Sequence, residues 1–456
     1  MTPRLPSRRV GAAIRISAAA LVLFLASMPA RAQQRISIED AINIALNENI
    51  NLKKAENQVE LSGRAVRSEI GSFLPDLRAS VNASRNWGLA FDQTSGTLVR
   101  EGSDGFSVGL NSSVNLFDGF SKISGLRGAQ YALRSVELSR ERAEQTVFFN
   151  VIQAYLQVLL QQEQVAIFEE NLEAQRQQLR RIEEFVRLGA RSIADQYQQE
   201  VTTANAELNL LDARRLRELN ESRLLEILEL DPLQEYAFDR IDPETLPIDV
   251  TNYDVSAMLS ESLDRRADVR AREWLIRALQ QDVRAARGAR LPSLNLSGST
   301  GTSYSSRSEG EFSTQLEDNR SDRVSISLSI PLFNRFLTGT NIHRARIAHA
   351  NAMLDMDDLE QSVALEVRQA YNDYQSAVQS LAVTETQVRS ASQAAAVEQE
   401  RYNVGASTLV ELTTSRANLV DAESQRAQAI YRFIFQRKVI DYYLGTLQPT
   451  DSVLPE

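Results

Sequence analysis

The feature that most constrains this chain is an internal repeat with a nearly constant offset. Leu116-Phe117-Asp118-Gly119-Phe120 returns as Leu332-Phe333-Asn334-Arg335-Phe336, and Ala154-Tyr155 returns as Ala370-Tyr371, in both cases 216 positions later. The Leu-Pro pair at 74–75 returns at 291–292, an offset of 217. Because the offset holds over so long a stretch, the sequence predicts two similar halves, and any fold must be built from both.

Proline positions divide the chain into these halves. No proline occurs in 76–231 or in 332–448, whereas three are crowded into 232–250. Prolines interrupt regular elements, so this crowded segment is predicted to be a linker. We predict a signal peptide at 1–32, a first repeat at 33–231, the linker at 232–250, a second repeat at 251–445 and a C-terminal tail at 446–456.

Each half is predicted to contain a first helix, two strands, a very long helix, a turn and a returning helix. At 1.5 Å per residue a long helix of this kind spans ~100 Å, so it must pack along other helices rather than inside a globule. Its apolar positions between 168 and 186 keep the 4/3 spacing of a coiled coil. The first helices are predicted at about 37–72 and 254–289, and the long helices at about 120–188 and 337–404.

Two glycines, Gly189 and Gly405, mark the predicted turns between each long helix and its returning helix. Each is the only glycine in a long stretch, and they lie 216 positions apart. Glycine favours the position just past a helix C-terminus because it tolerates a left-handed backbone. Ser192 and Thr408 follow as predicted N-caps, each with an acid three residues later, which is the pattern of a capping box. These acids are Asp195 and Glu411.

The segments between the helices alternate apolar and polar residues with the period of a strand. In 324–332 the even positions are apolar and serines stand between them. Strands of this length cross a bilayer when tilted, and the polar stretches 88–105 and 305–323 resemble the outer loops of a membrane barrel. The alternative is a soluble β-sandwich with one face exposed to solvent. The strands are predicted at about 76–87, 106–116, 294–304 and 324–332.

Four strands per chain do not close a membrane barrel, because the smallest closed barrels have about eight. Open edges in lipid leave backbone groups without hydrogen bonds, so other copies must complete the sheet. The predicted fold is that of an α+β membrane protein. Three copies form a 12-stranded β-barrel, which is continued by a long α-helical coiled-coil barrel.

Composition and the N-terminus indicate export. Arginines precede the apolar run 16–28, which ends at the Ala30-Arg31-Ala32 cleavage pattern of a signal peptide. Removing 1–32 takes away five of 50 basic residues and none of 60 acidic ones, leaving a net charge of −15. Such a surface argues against nucleic acid as a partner. The chain has no cysteine, so disulfides and zinc thiolate sites are excluded.

The duplicated Leu-Pro and Leu-Phe-x-x-Phe segments, together with Arg401-Tyr402-Asn403-Val404-Gly405 followed by Thr408 and Glu411, resemble the TolC family of outer-membrane efflux channels. The resemblance covers essentially the whole mature chain. It implies a homotrimer in the outer membrane of a Gram-negative bacterium, with the barrel in lipid and a tunnel of helices in the periplasm. It also implies docking, through a periplasmic adaptor protein, on an inner-membrane pump of RND, ABC or MFS type.

In that family the helix tips close the tunnel, and acids ring the constriction. Carried over, Asp195 and Glu411 are the acidic ring, and the tips at Gly189 and Gly405 are the adaptor-docking end. Arg191 and Tyr402 are the predicted contacts that hold the tips shut. The family often has a second acid one turn after Glu411, where this chain has Thr414, so the resemblance leaves ion selectivity open.

The sequence offers no catalytic constellation, so we predict no enzyme, no cofactor and no metal site. The two histidines, His343 and His349, lie six apart on a helix and do not share a face well. Trp87 and Tyr304 are predicted members of an aromatic girdle. The predicted function is a passive exit duct of a tripartite efflux or type I secretion system. A soluble periplasmic coiled-coil structural protein and a diffusion porin are the alternatives, and the cargo is not indicated.

Overall fold

The computed structural model describes residues 34–92, 96–241 and 248–448. The predicted signal peptide at 1–32 lies outside the described residues. So do 242–247 of the predicted linker and 449–456 of the predicted tail.

The first half contains two short helices, two long strands and a helical hairpin. Its elements are β1 (Gln34–Ile36), α1 (Ile38–Glu48), α2 (Ile50–Gly71), β2 (Arg78–Asp92), β3 (Thr97–Phe117), α3 (Ser121–Arg187) and α4 (Ile193–Ile227). At 67 residues, α3 is about 100 Å long.

The second half has the same order of helices and strands, with one added short helix. Its elements are β4 (Tyr236–Phe238), α5 (Val255–Arg265), α6 (Ala267–Gly288), β5 (Ser293–Ser305), α7 (Phe312–Asp318), β6 (Ser321–Ser329), α8 (Leu337–Asn403) and α9 (Leu409–Leu444). Helix α8 is also 67 residues long, like α3.

The prediction of one continuous first helix in each half is wrong. The helix predicted at 37–72 breaks at Asn49, whose extended backbone ends α1 while its side chain accepts hydrogen bonds from the first amides of α2. The helix predicted at 254–289 breaks at Arg266, which ends α5 and begins α6. Asparagine is a good N-cap. Arg266 makes no side-chain cap, and its guanidinium is instead buried against Asp268 and Glu366.

Four strands form one antiparallel sheet in the order β2-β3-β5-β6. One face of the sheet carries the apolar rows; Val114, Leu296 and Ile326, for example, stand side by side. The predicted loop 88–105 is wrong, because β2 and β3 continue to pair as far as Asp92 and Thr97. These two strands therefore extend well beyond the end of β5 at Ser305.

The predicted linker also contains a strand that the sequence did not reveal. Strand β4 pairs in parallel with β1, so the start of the described chain is fixed to the segment between the halves. The buried Tyr155 hydroxyl, on α3, donates to the carbonyl of Ile36 at 3.0 Å. At three residues, β4 is too short to give a periodic signal.

The main core lies where these short strands, α1 and α5 pack against the middle of the long helices. Its largest buried side chains include Phe148, Tyr155, Tyr374 and Phe433. Beside it, Arg266 is only 3% exposed; it pairs with Asp268 at 2.7 Å and Glu366 at 2.6 Å. From this body the hairpins α3–α4 and α8–α9 extend away from the sheet to their tips.

Candidate functional site: the paired helix tips

Both hairpin turns use the same backbone arrangement. Gly189 has φ 72° and Gly405 has φ 77°, both left-handed. The amide of each glycine bonds the carbonyl three residues back, and the following amide bonds the carbonyl five residues back. This Schellman arrangement satisfies helix carbonyls that otherwise lack partners. The turns reverse the chain within a few residues, so each hairpin ends in a narrow tip.

The returning helices begin at the predicted caps, but the two caps differ. The Glu411 amide donates to the Thr408 hydroxyl at 3.2 Å, and the Thr408 amide donates to the Glu411 carboxylate at 2.8 Å. This is a complete capping box. At Ser192 the hydroxyl accepts from the Asp195 amide at 3.2 Å, and within the described residues the Ser192 amide makes no reciprocal bond to the Asp195 carboxylate. The returning helix of the second hairpin therefore has the more complete N-cap.

Arg191 and Tyr402 join the first tip to the second. The Arg191 guanidinium donates to the Tyr402 carbonyl at 3.1 Å and lies 4.5 Å from the centre of the Tyr402 ring. A cation over an aromatic face is attracted by the ring quadrupole. Among the predicted tip residues, these two form the direct contact between the hairpins.

A small apolar cluster lies beneath this contact. Its buried members are Ile182, Tyr402, Leu409 and Leu412, with Val186 packed against them; we call it the tip cluster. The Tyr402 hydroxyl and the Gln178 side-chain oxygen are buried beside it, and neither has a hydrogen-bond partner of normal geometry within the described ranges. Burial raises the pKa of Tyr402, so the phenol stays neutral.

Glu411 is exposed and keeps its negative charge. Hydrogen bonds from the Thr408 amide and hydroxyl, and from the Ser407 hydroxyl, lower the pKa of Glu411. Hydrogen bonds to a charged form favour it over the neutral one. Thr414, one turn later, donates its hydroxyl to the carbonyl of Val410 and offers no charge.

The sequence did not single out two groups at the second tip. Ser407 donates to the carboxylates of Glu398 and Glu411, and Glu398 also pairs with Arg401 at 3.0 Å. Glu398 therefore ties the end of α8 to the start of α9. No periodic or capping signal marks Glu398, because its role depends on the turn that brings α9 back beside it.

Trp87 and Tyr304 lie far from the tips, on the apolar face of the large sheet. Tyr304 stands opposite Phe106 and its ring lies 4.9 Å from that of Phe312. Trp87 pairs with Gly102, four residues beyond the row of Ala83, Phe106 and Tyr304. At 3.3 Å per residue the two predicted girdle residues are roughly 13 Å apart along the strands.

No cluster of metal-ligating side chains occurs in the described part of the chain. Within the same residues, every helix is too short or too polar to cross a membrane.

The fold is that of solved outer-membrane channels. The crystal structure of VceC from Vibrio cholerae has a TM-score of 0.77 and 17% identity, covering 90% of this chain and 96% of that one. That of CmeC from Campylobacter jejuni has a TM-score of 0.76 and 19% identity, covering 91% and 87%. At such identities the likeness establishes the fold alone.

The sequence establishes the family. The profile described as outer membrane efflux protein matches residues 41–228 and 258–445, so the chain belongs to the outer membrane efflux protein family. The outer membrane protein TolC of Salmonella enteritidis is 25% identical over 437 residues, 90% of this chain and 86% of TolC. The family consists of outer-membrane channel proteins and not of enzymes, which confirms the predicted resemblance, location and non-enzymatic character and does not favour a soluble periplasmic protein.

Two further relatives are named for different kinds of cargo. The pyoverdine export protein OpmQ of Pseudomonas aeruginosa is 26% identical, over 78% of this chain and 74% of OpmQ. The alkaline protease secretion protein AprF of the same organism is 25% identical, over 92% and 86%. The chain is thus about equally similar to a protein named for a small molecule and to one named for a protein.

Proposed function

We propose that three copies of this chain form a passive exit duct through the outer membrane. The sheet supports this because its outer strands, β2 and β6, each have one edge without a partner among the described residues. An open edge in lipid leaves backbone groups unpaired. Joining β6 of one copy to β2 of the next removes all edges, and three copies give a barrel of twelve strands.

The long helices continue this barrel as a tunnel that ends at the tips. Helices α3 and α8 leave the same end of the sheet, so each copy contributes two hairpins to one wall. The observation that carries the proposal is the Arg191–Tyr402 contact, which brings the tips together. A ring of three copies places six carboxylates, those of Asp195 and Glu411, around the entrance, where they favour cations.

The duct has no energy source of its own in this scheme. A periplasmic adaptor contacts the tips around Gly189, Ser192, Gly405 and Thr408, and an inner-membrane pump of RND, ABC or MFS type drives the cargo. Opening separates the hairpins, a rigid-element rearrangement set off by that contact. Because relatives named for a small molecule and for a protein are about equally similar, the cargo is selected by the pump and not by the duct.

The chain organisation is part of the same proposal. A signal peptide at 1–32 is removed on export, and an ancestral unit was duplicated to give 33–231 and 251–445, joined by 232–250. The equal lengths of α3 and α8 support this duplication. Trp87 and Tyr304 belong to the outer aromatic girdle of the barrel.

The test is single-channel recording of the purified mature protein in planar bilayers. We expect small, stable, cation-preferring conductances. The pair Glu411→Gln and Asp195→Asn removes both charges, and glutamine still suits the capping position, so the tips should stay folded while cation preference and block by trivalent cations fall. Unchanged selectivity would reject the acidic ring. Failure of well-folded protein to insert would reject the duct itself.

A further inference from the structure

The two hairpins of one chain meet along a seam between α3 and α9. Near the main core, Gln164 of α3 donates its side-chain amide to the carbonyl of Ser424 at 3.1 Å. Near the tips, Ile182 of α3 packs in the tip cluster with Leu412 of α9. Because α3 runs toward the tips and α9 runs away from them, the residues between these contacts face each other in reverse order. We call this stretch the hairpin seam.

Arg416 and Glu423 lie four and eleven residues after Leu412, on the face of α9 that packs against α3, and both are half-buried. Each has a residue of like charge on α3 as a neighbour. Glu423 on α9 lies near Glu170 on α3: burial first, and then the Glu170 carboxylate, raises the pKa of Glu423. Closer to the tips, burial and then the Arg181 guanidinium lower the pKa of Arg416. In both cases this neighbouring charge has the same sign as the half-buried residue on α9.

These four charges have no compensating partners in the described chain. None of them forms an ion pair with another described residue. The Arg416 guanidinium contacts the side-chain oxygen of Gln399, and its buried Nη1 has no hydrogen-bond partner within the same residues. Neighbouring like charges destabilise a packed arrangement.

The seam inside the first hairpin shows the opposite pattern. Between α3 and α4, Glu169 pairs with Arg214 at 2.6 Å and Arg176 pairs with Glu207 at 3.5 Å. Glu169 and Glu170 are consecutive residues, yet one faces a cation within its own hairpin and the other faces an acid in the next hairpin. Charges are therefore matched inside the first hairpin and opposed where the two hairpins meet.

We propose that Glu170, Glu423, Arg181 and Arg416 are gate-positioning residues that bias the two hairpins of each chain toward separation. The Arg191–Tyr402 contact and the tip cluster hold the gate closed against this bias. An adaptor then needs to disrupt only the tip contacts, because the like charges on the two sides of the hairpin seam already repel each other. This inference rests on the proposed function, since it treats separation of the hairpins as the opening step.

The test reverses one charge in each pair, at the exposed positions on α3 where substitution does not disturb packing. Glu170→Lys and Arg181→Glu each replace repulsion by attraction, and we expect each to lower the mean single-channel conductance in 0.1 M salt about two- to fivefold. The measurement is made in the Arg191→Ala background, where the tip is already weakened. Adding Glu423→Lys to Glu170→Lys restores like charges and should restore the conductance.

Three comparisons separate a seam effect from a structural one. Glu169→Lys breaks the pair inside the hairpin and should leave the conductance unchanged. In 1 M salt the Debye length falls to about 3 Å, so the effect of Glu170→Lys should shrink. Hydrogen exchange of residues 400–415 should slow in Glu170→Lys whether or not the protein conducts.

Equal exchange and equal conductance in Glu170→Lys, Arg181→Glu and the parent would overturn the inference while leaving the duct intact. If the parent forms no channel, the proposed function fails, and the exchange comparison still decides whether the seam repels itself.

Discussion

The main core and the tip cluster are both packed between the long helices. They differ in how many other elements and apolar side chains pack with those helices. The main core combines α3, α8 and α9 with short strands and helices from both halves. The tip cluster has only four buried residues, and glutamine replaces apolar residues nearby, as at Gln175, Gln178 and Gln199. Local stability follows local burial, so the same three helices, α3, α8 and α9, provide a rigid body at one end and an easily opened contact at the other.

Two isoleucines in α3 test this comparison directly, because both are fully buried. Ile152 lies in the main core and Ile182 in the tip cluster. We expect Ile152→Ala to cost about 4 kcal/mol and Ile182→Ala about 2 kcal/mol, since a small cluster at a helix end relaxes into the cavity more easily. Guanidinium unfolding followed by circular dichroism measures the first, and hydrogen exchange at the tips measures the second.

The two variants should also differ in where their effects appear. Ile182→Ala should leave the global unfolding midpoint near that of the parent while raising the conductance. Equal losses of global stability in both variants would mean that core and tips unfold as one unit, and the distinction between body and gate would be wrong.

Two arginines extend the comparison to charged contacts. Arg266 is buried beside the main core and holds Asp268 and Glu366, whereas Arg191 makes one hydrogen bond and one ring contact at the tip. Removing one partner of a buried ion pair leaves an uncompensated charge, so Arg266→Ala should cost about 3 kcal/mol. Arg191→Ala should cost about 1 kcal/mol and should instead increase the conductance. A larger stability loss in Arg191→Ala would contradict this order.

Much of the fold follows from pattern alone. The repeat offset, the glycine positions and the alternation at 324–332 depend on local periodicity, which the sequence records directly. The failures have two causes. The break at Asn49 is a local N-cap that the pattern analysis did not use, whereas the pairing of β4 with β1 and the burial of Arg266 against Glu366 join residues distant in the chain. The Arg266 guanidinium, for example, donates to the carboxylate of Glu366, 100 positions later.

The candidate site likewise combines local features, which the sequence shows, with contacts between distant residues, which it does not show. Capping by Thr408 and Glu411 is readable from four consecutive residues. The contact of Arg191 with Tyr402 came from family resemblance, because the two are 211 positions apart. The like charges of the hairpin seam are unmarked in the sequence, since neither Glu170 nor Glu423 differs in pattern from the many charged residues on helix surfaces.

The tip glycines give a smaller effect that isolates backbone strain. Neither Gly189 nor Gly405 has another atom within 4 Å of an added Cβ, so alanine meets no steric obstacle there. The cost comes from the left-handed backbone alone, about 1 kcal/mol at each tip. Hydrogen exchange at the two tips should show equal increases. Gly63→Ala, in open space on α2, is the matched control and should stabilise the protein slightly. Unequal increases in hydrogen exchange at the two tips would mean that the cost of the left-handed backbone differs between the two turns.

The mildest test uses pH, because two glutamates on α9 have opposite shifts. The pKa of Glu423 is raised by burial and by Glu170, so as the pH falls from 7 through this raised pKa the seam should gain stability. The pKa of Glu411 is lowered by its capping bonds. Its contribution is complete above the ordinary glutamate pKa of about 4.3 and is lost as the pH falls through the lowered value.

Protection of the tips, corrected for the intrinsic exchange rate, should therefore rise from pH 7 toward mildly acidic conditions and fall again below about pH 4. Glu423→Gln should remove the rise and keep the fall, because it removes the charge that faces Glu170 and leaves the capping box intact. A steady loss of protection from pH 7 downward in the parent would show that Glu423 is not held against a like charge, and the tips would then be closed by the same kind of matched contacts as the body.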